Sequence, residues 1–126
     1  MESFSEKARP LAFLLSEANG LLSRDTVTIV SGAGKLEAGM VIGKITASGK
    51  YTASPNAQVT GSEGAETASA ILAYPVDATD ADVTAVVVNK DAEAKSPMLK
   101  FHTSVNDATK RNAKLTQLRA VGIKAR

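Results

Sequence analysis

Apolar and polar positions along this chain fall into two long strand, turn, strand units. In the first, LEAGMVIGKITASGKYTAS from Leu36 to Ser54, Met40, Val41, Ile42 and Ile45 make a β-rich apolar run. The run stops at Ala47-Ser48-Gly49-Lys50, where Gly49 can take the positive φ of a tight turn. In the second, AILAYPVDATDADVTAVVVNKDAEA from Ala70 to Ala94, Ile71, Leu72 and Val76 lead into a polar turn, Asp77 to Asp82, and the chain leaves along Val83 to Val88. Around these units the pattern predicts strands over Thr26 to Val30, Met40 to Thr46, Ala70 to Tyr74 and, as a short candidate, Leu99 to His102. Pro55 to Ala68 is rich in Gly, Ser, Asn and Glu with only Val59 strongly apolar, which predicts a mobile surface loop. A helix is predicted from about Asp107 to Ala120, started by Ser104 and Asp107 in a variant capping box and closed by Gly122. It would turn Ala108, Leu115 and Leu118 to one side and leave Lys110, Lys114 and Arg119 outside, with Ile123 returning to the sheet. The fold class is therefore mainly β with one short helix. No repeat of a solenoid kind is visible.

Residues 1–22 follow a different pattern. They mix Ser, Glu, Lys, Arg and Pro10 with the apolar patch LAFLL, Leu11 to Leu15, ahead of the turn Asn19-Gly20. This reads as an N-terminal arm on a β-rich domain spanning 23–126. Pro10 permits a helix only from its first turn and Asn19-Gly20 would end one, so a single helical turn is the most that helical spacing allows. A detached apolar patch cannot bury itself and calls for a partner surface, which an extended arm can find by joining a strand edge. Packing of Leu11 to Leu15 on the domain's own sheet is the equal alternative.

Composition narrows the class. The 126 residues make one domain with a modest core and no space for a second catalytic domain. Cysteine is absent, which excludes disulfides and thiolate metal sites. With aromatics at 4% and no Trp, the core must be built from Val, Ile, Leu and Ala. LAFLL is too short for a membrane span or a signal-peptide core, so a soluble, unprocessed chain is expected. The net charge of +2 is unevenly placed: Glu63, Glu66, Asp77, Asp80 and Asp82 lie together without a base, and Lys110, Arg111, Lys114, Arg119, Lys124 and Arg126 follow without an acid. Such asymmetry suits nucleic-acid binding or self-assembly.

Reactive constellations are weak. Gly39 and Gly43 enclose three residues rather than four, and Lys44 is followed by Ile45, so the glycines do not make a phosphate loop and read as turn or close-packing positions. Asp77, Asp80 and Asp82 lack the glycine and terminal glutamate of a calcium loop and read as an Asx-type turn. His102 and Ser104 share a face, yet no orienting acid or oxyanion site accompanies them. The basic C-terminal segment has no aromatic beyond Phe101 with which to stack bases. It could instead meet the Asp77 to Asp82 turn of another copy.

The order of elements resembles a known family. GKLEAGMVIGKIT from Gly34 to Thr46, SGKY from Ser48 to Tyr51, a long loop, AYPVDATDADVTAVVVNKDAE from Ala73 to Glu93, a short polar helix and GIKAR from Gly122 to Arg126 are similar to the bacteriophage head decoration proteins of the lambda type. The resemblance runs from about Leu21 to the C-terminus. It implies a compact, small β-barrel-like domain of the β-tulip kind, without enzymatic activity, cofactor or metal. It further implies a protein made in the host bacterial cytoplasm that binds the major capsid protein on the outside of the expanded phage capsid, as homotrimers at three-fold positions, and holds the head against packaged DNA. Members can be monomeric until they meet the capsid. Neither nucleic acid nor membrane is an expected partner. On the arm, Ser5, Arg9, Pro10, Leu11, Phe13 and Leu14 are the expected capsid contacts, and Asp77, Asp80, Asp82 and Val83 the candidate trimer interface. This arm is more apolar than the polar, Gly- and Pro-rich N-terminus of the lambda protein. The alternatives are a nucleic-acid-binding β-domain using the basic segment and a small hydrolase-like enzyme using His102 and Ser104.

Overall fold

The computed structural model describes residues 14–17, 24–90 and 92–125. In chain order its strands are β1 (Leu14–Glu17), β2 (Arg24–Ile29), β3 (Gly34–Leu36), β4 (Val41–Lys44), β5 (Tyr51–Ala53), β6 (Ala68–Leu72), β7 (Val76–Ala78), β8 (Val83–Val88), β9 (Ala92–Ala94) and β10 (Ile123–Ala125). The helix α1 (Ala108–Ala120) and a 3-10 turn (Ser96–Met98) lie between β9 and β10. Five strands close into a barrel in the order β2-β5-β4-β6-β8. All its pairings are antiparallel except the short parallel contact of β2 with β5 at Ile29 and Tyr51. A three-stranded sheet, β1-β9-β10, and a two-stranded ribbon, β3-β7, complete the fold.

Strand alternation divides the core in two. On one face, Ile29, Ile42, Ala70, Leu72, Ala85 and Val87 join Leu36, Ala53 and Ala78. On the other, Val41, Ile71 and Val88 meet Leu118 of α1, Ala92 and Ala94 of β9, and Ile123 of β10. Neighbours such as Val41 and Ile42, or Val87 and Val88, thus serve opposite clusters, as a two-residue period requires. Barrel diameter grows with strand number, and five strands leave a narrow interior, which is why alanines rather than aromatics fill it.

The first expected unit forms as read: β4 and β5 pair antiparallel, Ile42 against Ala53 and Lys44 against Tyr51, and Gly49 sits at φ 75°. The second is more divided. Val76 does not prolong β6; Ala73 to Pro75 breaks the strand, and Val76–Ala78 becomes β7, paired with β3 from Leu36 to Gly34. Val83 to Val88 returns against β6 and, over its full length, against β2. The expected strand at Leu99 to His102 reduces to one bridge, Met40 to Lys100. Pro97 in the preceding 3-10 turn offers no N–H, and from His102 the chain folds into its own turn, Val105 N donating to the His102 carbonyl at 2.8 Å. The single helical turn allowed around Leu11 to Ala18 is not formed at Leu14–Glu17, which is strand β1 on β9. There the backbone groups of four residues find partners that one isolated helical turn could not supply.

Helix α1 starts at an N-cap one position into the expected box. Asp107 itself caps, its carboxylate accepting from Lys110 N at 2.8 Å, while Ser104 bonds elsewhere. The loop expected to be mobile is anchored instead. Ser54 Oγ donates to the Ala65 carbonyl at 2.7 Å, Thr46 N to the Glu63 carbonyl at 2.9 Å, and Ala65 is fully buried. Ala65 presses on β4 so closely that a Cβ on Gly43 would run into its carbonyl, which explains glycine inside this strand.

Candidate functional surface

The largest departure from the expected surface is Lys114. It was expected outside the helix, yet it is 1% exposed and its ammonium lies in a cage of oxygens. Nζ donates to Ser54 Oγ at 2.9 Å, to the Pro55 carbonyl at 2.5 Å and to the Glu66 carbonyl. Burial draws its pKa below the usual 10.5, and the negative charge of Glu66 opposes that. Three acceptors occupy all three N–H directions, so the group is held as an ammonium and has no free lone pair. The Ser54 hydroxyl proton is committed to Ala65. Although a serine and a buried lysine stand within hydrogen-bond reach, the pair is a clamp between α1 and the 54–67 loop, not a nucleophile and its base. The signal for it was in the helix spacing: Lys114 is four residues before Leu118 and so shares the buried stripe.

His102 and Ser104 are brought together. Ser104 Oγ lies 2.8 Å from His102 Nδ1, and Ser104 N donates to the same nitrogen at 3.1 Å. The serine oxygen also accepts from Asn56 N at 2.8 Å. With Nδ1 as acceptor, the imidazole orders a local turn and ties it to the 54–67 loop. No carboxylate among the described residues orients the ring, so the third member that nucleophilic catalysis needs is missing there.

The acids of the 77–82 turn are bound within the chain. Asp77 accepts from Thr79 N at 3.1 Å and Thr79 Oγ1 at 2.5 Å, the expected Asx-type turn, and these bonds hold its carboxyl below the usual range. Asp82 accepts from Ser31 N at 2.7 Å and from Lys50 Nζ at 2.6 Å, with the same effect on its pKa. Asp82 thereby joins the turns after β2, β4 and β7. Asp80 is exposed, and Val83 packs half-buried against the barrel core opposite Ile29. No group of three or more acidic or histidine side chains among the described residues could hold a metal ion.

The basic segment is less continuous than its sequence. Lys114 is buried, Lys110 turns back to Asn106 and Asp107, and Arg126 lies outside the described residues. Arg111, Arg119 and Lys124 remain exposed on different elements. No helix of the described residues is long and apolar enough to cross a membrane.

Of the expected capsid contacts, Ser5, Arg9, Pro10, Leu11 and Phe13 lie outside the described residues. Leu14 opens β1 opposite Ala94, and Ser16 and Glu17 follow opposite Glu93 and Ala92 across a bulge. Since the sheet order is β1-β9-β10, β1 is an edge strand with β9 on one side only. That leaves a row of backbone donors and acceptors open to an extended partner.

A family model for bacteriophage lambda head decoration protein D matches residues 3–123. No individual curated protein matches the chain.

Proposed function

Because the chain belongs to the bacteriophage lambda head decoration protein D family, we propose that it binds the outside of the expanded capsid as trimers at three-fold positions, with its N-terminal arm as the contact to the major capsid protein. The family is one of non-enzymatic structural proteins of the phage head. The observation that carries the arm's role is its attachment: β1 is the edge of the β1-β9-β10 sheet, so residues before Leu14 leave the folded body from an unpaired strand edge. Ser5, Arg9, Pro10, Leu11, Phe13 and Leu14 are the proposed contacts. Asp77, Asp80 and Asp82 form the proposed rim between protomers, where Asp80 is the acid with no competing turn bond and Val83 supports the rim from within the barrel.

The mechanism is mass action. A plug that binds only the expanded lattice stabilises it by about 2.7 kcal/mol per site at a hundredfold excess over Kd, and sites summed over a shell resist the load of packaged DNA. Stiffness of the plug serves this role, and the turns joined by Asp82 and the loop clamped by Lys114 supply it.

The test is co-sedimentation with cognate expanded capsids that lack the decoration protein. A chain lacking residues 1–13 keeps β1 and leaves β9 covered, so it separates arm from body more cleanly than removal of residues 1–22. Saturable binding by the full chain, lost in the truncated one, supports the reading. Equal binding by both would move the contact to the body, and binding by neither would remove the capsid as partner.

A further inference from the structure

The register of β1 on β9 sets where the arm goes. Leu14 stands opposite Ala94 in an antiparallel pair, so residues before Leu14 advance alongside residues after Ala94. Those are Lys95 and the 3-10 turn Ser96–Met98. Between that turn and the first two turns of α1 lies an open groove of about 250 Å³, lined by Pro97, Phe101, Ala108, Arg111 and Leu115 among others. Phe101 and Leu115 are only half-buried: one side of each packs on the Val41, Ile71 and Leu118 cluster. The groove floor is thus apolar and in contact with the core.

We infer that in the free chain the segment Pro10 to Phe13 docks into this groove, and that capsid binding draws it out. Three observations converge on this occupant. The ladder delivers the segment to the groove's end. Leu11 lies three residues before Leu14, a reach of about 10 Å for extended chain, and Ser96 is two residues beyond Ala94, about 7 Å, so the spans match. Continued as a strand, the arm places Leu11 and Phe13 on one face with Ala12 on the other, an apolar pair suited to the apolar floor. The docking deepens the capsid reading, because one apolar surface of the arm then serves two partners in turn. A chain docked nine-tenths of the time would bind capsid through its arm about tenfold more weakly than one with a free arm.

The experiment is nuclear Overhauser spectroscopy on the full-length free chain. With three Phe and two Tyr in the sequence, the aromatic protons are few enough to assign. Cross-peaks from the Phe13 ring or the Leu11 methyls to the Leu115 methyls or Phe101 ring are expected in uniformly labelled protein, and none in an isotope-filtered mixture of labelled and unlabelled chains. A Phe13→Ser variant should shift the Leu115 methyl resonances and leave those of Val27, on the barrel, in place. Absence of the cross-peaks, or their appearance only between chains, overturns the docking. No capsid is present, so a failure here is separate from a failure of the co-sedimentation.

Discussion

Replacing Lys114 by Met tests whether the buried ammonium stabilises the fold or only occupies it. Methionine nearly matches the aliphatic stem and removes the charge, so packing changes little. What is lost is a set of three charge-assisted hydrogen bonds, to Ser54, Pro55 and Glu66. Hydrogen bonds to a charged group are worth about 1.5–3 kcal/mol each, and buried carbonyls left without a donor cost about 1–3 kcal/mol each. Against this stands the desolvation of the ammonium, several kcal/mol, which the variant no longer bears. The balance is a net destabilisation of about 2–4 kcal/mol. With an unfolding entropy of about 2.1 cal/mol/K per residue, that lowers Tm by about 8–15 °C. Calorimetry at one fixed protein concentration measures it, since self-association would shift Tm by itself. Hydrogen exchange should accelerate first in the 54–67 loop. The pH dependence supplies a second readout. Burial draws the Lys114 pKa below 10.5 in the fold, so between the folded value and 10.5 the unfolded chain binds more protons, and this group makes stability rise with pH. Tyr51, whose pKa burial raises above 10.0, acts with the opposite sign as pH passes it. The difference between wild type and Lys114→Met isolates the lysine. A variant as stable as wild type, with unchanged exchange in the loop, would refute the clamp and show that desolvation outweighs the three bonds.

Three further outcomes are expected. Asp82 has a folded pKa held below 3.8 by Lys50 and the Ser31 amide, so its stabilisation is present above about 3.8 and is lost as pH falls through the folded value; urea midpoints measured from pH 5 to pH 2 should fall less steeply for Asp82→Asn. Gly43→Ala must push Ala65 off β4, which should cost about 1–3 kcal/mol by chemical denaturation, more than the few tenths expected of an exposed site. Removing residues 1–13 should leave the urea midpoint within about 0.5 kcal/mol of wild type, because the β1 to β9 ladder is kept, while abolishing co-sedimentation with capsids.

Much of the barrel was legible because its strands are locally consistent. Val41–Lys44 and Val83–Val88 carry β-branched runs bounded by turn residues, and Gly49 marks its turn without competition. Pairing across distance was not legible. β7 pairs with β3 and not with its neighbour in sequence, a choice made by barrel closure rather than by three residues of Val-Asp-Ala. The same holds for β1: the register of Leu14 opposite Ala94 depends on an edge 77 positions further along the chain that no local pattern reveals. Leu99 to His102 has the composition of a strand but lacks a partner beyond Met40, and composition without a partner does not make a ladder.

Lys114 shows why charge alone misplaces a side chain. A lysine on a polar helix reads as solvated, because burial of an unpaired cation is costly. The cost is offset here by carbonyl groups that the 54–67 loop turns inward, and a loop can do so only once Ser54 is tied to Ala65 and Ala65 is seated on Gly43. The clamp is therefore a product of three segments far apart in sequence, and each needs the others. Remove the glycine and Ala65 cannot approach; remove Ala65 and Ser54 loses its acceptor; remove either and the ammonium loses part of its cage. Such mutual dependence makes a long Gly- and Ser-rich loop rigid without disulfide or metal, which a cysteine-free chain requires if its surface is to transmit load between capsid subunits.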